Sequence, residues 1–285
     1  ASIFALRMLG LFLVLPVFAL EARKYPGGDD PALLGMAMGI YGLTQGLLQI
    51  PFGMASDRLG RKRVIIFGLL VFALGSLWAG SAETLSGLLA GRALQGAGAV
   101  SAAVTALLAD LTRDVVRTKA MALVGASIGL MFACSLVLSP LIAAQIGLSG
   151  LFVLTAVLAV LGIAVVIWLV PHAPAVHKDA ARGSLRHVLS SPALLRLNIG
   201  VFVLHAVQLA MWVAIPAFLV QAGLGKDDHW QIYLPAVLGS FVLMGVIFPL
   251  ERRGYLRAVF LCAIALIALV QVALLWVSSG APSVM

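Results

Sequence analysis

Apolar runs about 20 residues long, the length that crosses a hydrocarbon core of roughly 30 Å, recur from one end of this chain to the other. They fall at about 2 to 20, 33 to 55, 64 to 80, 84 to 108, 120 to 146, 149 to 170, 194 to 221, 230 to 250 and 258 to 277. In lipid, every backbone N–H and C=O must be satisfied within its own segment, so open sheets are excluded. The nine runs are therefore expected to be nine transmembrane helices of an all-α integral membrane protein. Composition agrees, with 62% apolar and 11% charged residues against roughly 25% charge in ordinary soluble domains.

Lys and Arg are unevenly placed between the runs. The connections at 56 to 63, 110 to 119, 171 to 196 and 251 to 257 hold 14 of the 19 basic residues. The alternate connections hold Arg23, Lys24 and Lys226 together with Glu21, Asp29, Asp30, Glu83, Asp227 and Asp228. By the positive-inside rule the first set is cytoplasmic, and the chain starts on that side. In a soluble protein a net charge of +8 would raise nucleic-acid binding. Confined to short loops between apolar runs, it is a topology signal, and nucleic acid is not an expected partner. Cys134 and Cys262 each sit inside an apolar run, which supports neither a disulfide framework nor a cysteine metal site.

The longest connection contains Pro171, Pro174 and Pro192 and divides six helices from three. The expected organisation is a lobe at 1–170, a cytoplasmic linker at 171–193 and a partial lobe at 194–285. His172, His177 and His187 in the linker match no usual ligand spacing, so no metal is expected. Ser191 followed by Pro192 suits the N-cap and first turn of the seventh helix. The first run is long for a secretory signal and lacks a basic leader, so it reads as a spanning helix. With no initiator Met, the chain reads as trimmed at the front.

Polar groups at membrane depth are rare and therefore informative. Arg92 lies well inside the fourth run, roughly 12 Å below the outer surface at a 1.5 Å rise per residue. Insertion scales charge about 2.5 to 3.5 kcal/mol for an arginine at such depth. Gln95 follows within a turn, and Gly96, Ala97, Gly98, Ala99, Ser101, Ala102 and Ala103 allow close packing. Arg7 either snorkels to the nearby surface or has a functional role. Tyr41, Gln45 and Gln49 share one face of the second helix, and His205, Gln208 and Trp212 one face of the seventh. Both sets are candidates for a substrate cavity; interhelical hydrogen bonding is the alternative for the glutamines, and a satisfied core position for His205. The third, sixth and ninth runs carry no charge and suit lipid-facing positions. None of the 11 acidic residues lies in mid-membrane. No nucleophile, base or metal cluster appears at that depth, so an enzyme is not expected.

Between the second and third runs stands Gly53-x-x-x-Asp57-Arg58-Leu59-Gly60-Arg61-Lys62-Arg63. Gly53 permits close helix contact and Gly60 a sharp reversal. Shifted along the chain, Asp57 to Arg63 lies over Glu251-Arg252-Arg253-Gly254-Tyr255-Leu256-Arg257, with an acid, a base, a glycine and a final base in step. Two lobes related by such a repeat are a known transporter plan.

This loop resembles the signature of the major facilitator superfamily, and Arg92-x-x-Gln95-Gly96-x-Gly98 resembles the fourth-helix motif of its proton-linked members. Leu6-Arg7-Met8-Leu9-Gly10, Gly39-Ile40-Tyr41-Gly42-Leu43-Thr44-Gln45 and Asp110-Leu111-Thr112-Arg113 are similar to a branch of drug efflux carriers. The resemblance implies twelve helices, of which about nine are in this chain, forming a six-helix lobe and an incomplete second one. It implies that Asp57 meets a helix end of the other lobe, that Arg61 pairs with Asp110, and that the loop acts as a gate; the alternative is that these charges only set topology. For Arg92 it implies proton relay or anion contact, the alternative being an arginine satisfied by carbonyls that locks the bundle. Gly125, Gly129, Ser139 and Pro140 form a reduced version of the family's antiporter motif, and a plain kink is the alternative. The implied function is export of small amphipathic compounds driven by the proton gradient, by a monomer in the bacterial inner membrane without a cofactor. The rival reading is a membrane sensor that keeps the carrier fold without transport. With no mid-membrane carboxylate, the proton would fall to His205, to Glu21, Glu83 or Asp110, or to a residue on helices beyond these nine.

Overall fold

The computed structural model describes residues 2–171, 190–225, 228–252 and 255–280. Regular structure among the described residues is helical: α1 (Ser2–Ala22), α2 (Pro31–Leu59), α3 (Arg61–Gly80), α4 (Leu85–Ala97), α5 (Ser101–Asp110), α6 (Asp114–Trp168), α7 (Pro192–Gln221), α8 (Trp230–Arg252) and α9 (Leu256–Gly280). Most of the linker at 171–193, with its three histidines, lies outside the described residues, as does part of the repeat copy at 251–257.

The nine described helices match the nine apolar runs in number but not one for one. The 55-residue α6 would be about 83 Å long if straight, far more than one bilayer. Gly147 interrupts it with φ 67° and ψ −174°, a conformation open to glycine. Ser139 Oγ donates to Leu13 O at 2.6 Å, and Thr155 Oγ1 donates to Gly10 O at 2.9 Å. Positions 139 and 155 would be about 24 Å apart along a straight helix, whereas 10 and 13 lie within one turn. Both bonds to α1 can form only if α6 folds back at Gly147, so it makes the fifth and sixth crossings. Pro140 produces no comparable break, since Gly147 is the non-helical position inside α6.

The fourth run shows the opposite departure. The sequence suggests one helix over 84 to 108, but the crossing is broken into α4 and α5 with residues 98–100 non-helical. Gly96 and Gly98 weaken a helix by up to about 1 kcal/mol each. At the break α3 presses close: a Cβ on Gly98 would meet Gly68 O and lie 2.7 Å from Phe72 Cβ. Low propensity and a neighbouring backbone together end α4 at Ala97, about three turns before the run ends.

Residues Ala1–Tyr233 form one compact unit and Leu234–Met285 a second. In the first, α1 is the central element: Leu13, Val14, Val17, Phe18 and Ala19 are buried with Leu34, Ala37 and Met38 of α2, Leu85 and Leu88 of α4, and Leu148, Leu151 and Phe152 of α6. Lipid tails are as apolar as leucine, so close backbone approach and interhelical hydrogen bonds drive this association. Gly10 lets Thr155 in, and Gly91 lets the backbone of Ala79 in. Phe67, Leu70, Leu74 and Leu77 form an exposed stripe on α3, while Ile65, Leu69, Phe72 and Ser76 are buried. In the second unit, Phe260, Leu261, Leu266, Leu269 and Leu275 along α9 are exposed.

Candidate functional site

Two constellations of polar groups lie in the first unit, one at the basic end of the bundle and one at membrane depth. At the basic end, Gly60 takes φ 95° and is both the C-cap of α2 and the N-cap of α3, giving the reversal its sequence suggested. At Gly53 a Cβ would stand 3.6 Å from Ala102 Cβ of the fourth crossing, an ordinary contact, so the packing there does not require the glycine that the sequence suggested for close approach. Within this frame Arg61 is only 10% exposed. It pairs with Asp57 one turn back, donates from Nε to Asp110 Oδ2 at 2.9 Å, and donates from Nη1 to Ser56 Oγ at 2.7 Å. Ser56 Oγ in turn donates to Gly53 O at 2.7 Å. Lys62 Nζ donates to Val170 O at 2.6 Å, tying the loop to the end of the sixth crossing. One arginine thus clamps α2, α3 and the end of α5, while Asp57 keeps a side chain 55% exposed and can accept another partner. Arg58 and Arg63 are exposed.

At membrane depth the sequence pattern had separated Arg7 from Arg92; the fold brings them to one tyrosine. Arg7 is 2% exposed, too buried for a snorkelling side chain. Its Nη1 donates to Ser101 Oγ at 2.8 Å, its Nη2 donates to Tyr41 Oη at 3.0 Å, and its Cζ stands 5.4 Å from the centre of the Phe72 ring. Arg92, also 2% exposed, lies 4.8 Å from the Tyr41 ring centre and 5.5 Å from that of Phe18. Aromatic faces attract a cation electrostatically, most strongly where water is absent. Arg92 Nη1 donates to Gln95 Oε1 at 2.7 Å, Gln95 Nε2 donates to Ser76 Oγ at 2.8 Å, and Ser76 Oγ donates to Phe72 O at 2.7 Å. The expected alternative of carbonyls around Arg92 is replaced by a side-chain relay that ends on one carbonyl of α3.

Glycines make this proximity possible. A Cβ on Gly75 would run into the Gln95 backbone, and one on Gly96 would collide with Thr44 Oγ1 and Tyr41 O. Through these contacts α3 and α2 reach α4 closely enough for Ser76 and Tyr41 to touch the motif side chains. Gln45 and Gln49 are half-buried on the same helix as Tyr41, and Gln49 Oε1 is buried without a partner among the described residues. His205 and Gln208 are exposed, and the His205 ring nitrogen Nδ1 bonds Val201 O of its own helix at 2.9 Å. They do not join the arginine cluster. The Trp212 side chain lies outside the described residues. No group of histidines, cysteines and carboxylates suited to a metal occurs among the described residues.

Nothing local in the sequence marks Ser56, Ser76, Phe18 or Phe72 as part of these sites, and Ser101 stands there only as one small residue among several. A hydroxyl in an apolar run always needs an acceptor or donor nearby, and that was the available signal. Which partner it finds depends on contacts 5 to 94 positions away in sequence.

Seven helices among the described residues are long and apolar enough to cross a membrane, one of them Leu123–Trp168, which holds two crossings. Residues 1–285 match the sequence profile of the Major Facilitator Superfamily. The chain is 44% identical over 279 residues to the inner membrane transport protein YajR of Escherichia coli (strain K12), covering 96% of this chain and 61% of that protein. It is 32% identical over 124 residues to the class B tetracycline resistance protein of Escherichia coli, covering 43% of this chain and 31% of that one. Among solved structures, a bacterial homolog of the human lysosomal transporter Spinster, inward-facing and unoccupied, superposes with a TM-score of 0.64 at 14% identity, covering 82% of this chain and 57% of that chain. This chain therefore spans less than two thirds of the length of these relatives. The helical bundle, the clamped basic loop and the profile match across the whole sequence converge on one conclusion: this chain is a multi-pass membrane protein of the major facilitator superfamily.

Proposed function

We propose that the protein exports small amphipathic compounds across the bacterial inner membrane in exchange for protons, by alternating access, with its N-terminus in the cytoplasm. The observation that carries this reading is the three-way clamp of Arg61 on Asp57, Asp110 and Ser56. The clamp lies within one lobe and fixes Asp57 at its inner rim; the reversible latch is the contact that Asp57 makes with a helix end of the other lobe, held in one state and released in the other. Asp57, half in solvent, is free to accept a hydrogen bond from an approaching helix N-terminus, where an anion is favoured by roughly 0.3–1 kcal/mol. Closing that contact stabilises the outward-open state, and breaking it admits substrate from the cytoplasm.

The efflux direction is supported by the resistance protein among the relatives, and the inner-membrane location by YajR. The proton gradient is the energy source and no cofactor takes part. The carrier works as a monomer. His205, or an end carboxylate such as Glu21, Glu83 or Asp110, carries the proton, because the described crossings hold no carboxylate in their interior. Tyr41, Gln45, Gln49, Gln208 and Trp212 contribute to the substrate cavity.

The test is transport by the whole protein in proteoliposomes. Lipophilic dye or tetracycline accumulation driven by an imposed pH gradient, and abolished by a protonophore, is the expected result. Substrate binding without gradient-driven movement would replace the carrier reading with that of a sensor on the same fold.

A further inference from the structure

At the basic end of the bundle, a groove between α2 and α3 joins an apolar slot to a cation. It has a volume of about 360 Å³ and is lined by Phe52, Ala55, Leu59, Arg63, Val64 and Phe67. The two helices run back from the reversal at Gly60, so depth along the groove follows from position in the chain. Arg63 lies about 5 Å along the helix axis from Gly60, and Phe52 and Phe67 both lie about 11 Å from it. The two rings stack at that level, with centroids 6.1 Å apart and planes 23° from parallel. Phe52 reaches α3 because position 68 is a glycine, where a Cβ would stand 3.0 Å from Phe52 Cε1. Val64 is buried, whereas Leu59 and Phe67 are exposed and leave the slot open along its length.

The cation at the rim is available. Arg61 is held by Asp57 and Asp110, and Lys62 donates to Val170 O. Arg63 is exposed and has no hydrogen bond or ion pair among the described residues. An arginine in such a place lays its stem along apolar surface and keeps its head at the polar boundary. The groove therefore presents a free guanidinium near the loop and aromatic and aliphatic surface beneath it.

A phospholipid carries its groups in the same order, a phosphate directly above acyl chains. A helix or a second copy of the chain laid on the groove would bury Arg63 in an apolar contact, which is costly unless it brings a carboxylate of its own. A zwitterionic headgroup would set its ammonium beside Arg58, Lys62 and Arg63, while the carboxylates of Asp57 and Asp110 are held by Arg61. Basic pockets between membrane helices are suited to anionic headgroups, and arginine pairs with phosphate through parallel hydrogen bonds.

We propose that this groove binds one anionic phospholipid, with its phosphate on Arg63 and an acyl chain lying on Ala55, Val64 and the stacked Phe52 and Phe67. Placing that lipid in the inner leaflet rests on the orientation proposed above. The binding itself does not, because lipid in detergent reaches both ends of the bundle. Failure of transport and failure of lipid binding are therefore read separately.

The experiment titrates the purified whole protein in detergent with phosphatidylglycerol and, separately, with phosphatidylcholine. Thermal unfolding and the lipids retained in native mass spectrometry give the readouts, since a ligand of the folded state raises its stability. Saturable stabilisation by phosphatidylglycerol is expected, with an affinity roughly fivefold above that for phosphatidylcholine, the worth of one basic residue at an anionic surface. Arg63→Gln should abolish that preference. Ala55→Phe fills the slot and leaves every charge in place, and should weaken phosphatidylglycerol binding at least fivefold; Arg63→Gln, at an exposed position, carries the test if this variant does not fold. Arg113→Gln removes an equal charge from an exposed position that does not line the groove, and should leave the affinity unchanged. Equal stabilisation by the two lipids overturns the inference. So does a phosphatidylglycerol affinity unchanged by Arg63→Gln or by a folded Ala55→Phe, the result expected if a helix of the remaining protein covers the groove. An equal fall in Arg113→Gln also overturns it, since charge would then act without a site.

Discussion

Replacing Gly75 by alanine probes the contact on which the arginine relay depends. An ideal Cβ at Gly75 lies 2.6 Å from Gln95 Cα and 2.7 Å from Leu94 C, whereas carbons in ordinary contact stand about 3.5–4.0 Å apart. Both opposing atoms are backbone, so no rotamer can yield and α3 must move off α4 by about 1 Å. Overpacking of this kind costs roughly 1–3 kcal/mol. The same displacement stretches the Gln95 to Ser76 bond from 2.8 Å past hydrogen-bonding reach, adding about 0.6 kcal/mol. A total of roughly 1.6–3.6 kcal/mol corresponds to a fall in Tm of about 3–14 °C, taking 2–4 °C per kcal/mol for a chain of comparable size. The matched control is Gly162→Ala, whose Cβ would meet only Leu69 Cδ1 at 3.6 Å and should leave Tm nearly unchanged. Thermal unfolding of both variants in detergent, followed by helical circular dichroism, decides the matter. Gly75→Ala unfolding with the wild type, or Gly162→Ala falling as far, would refute the argument that backbone approach holds this site together.

Asp57→Asn should reduce turnover in proteoliposomes more than it reduces substrate binding, and unchanged turnover would remove Asp57 from the latch. A double-mutant cycle on Arg61→Gln and Asp110→Asn should give a coupling near 1 kcal/mol, as for a partly exposed pair; additive effects would mean that the 2.9 Å contact contributes nothing. Thr155→Val removes the hydroxyl that ties the sixth crossing to Gly10 O and should cost about 0.6 kcal/mol. A loss indistinguishable from zero in the same unfolding assay would show that close packing at Gly10, and not the hydrogen bond, holds that pair of helices.

The basic loop was legible in advance because everything that defines it is local. Asp57, Gly60 and Arg61 lie within five positions, a reversal between two apolar runs needs a residue tolerant of positive φ, and Gly60 supplies it. The Arg61 to Asp110 pair spans 49 positions and followed from family resemblance, with no local pattern to indicate it. His205 had the right residue type and spacing, yet its described bond is to its own helix, since hydrogen-bonding capacity in an apolar run does not say which neighbour will satisfy it.

By itself the sequence determined that the chain crosses the membrane repeatedly, where the crossings lie, and which loops gather the positive charge. These depend on transfer of residues between water and lipid, a property each segment has alone. Only the tertiary structure decided that the fourth crossing breaks at residues 98–100, that α6 doubles back at Gly147, and that Arg7 and Arg92 meet across Tyr41. Those outcomes depend on how closely one backbone can approach another, which is set at the glycines by the partner helix and is absent from any single run.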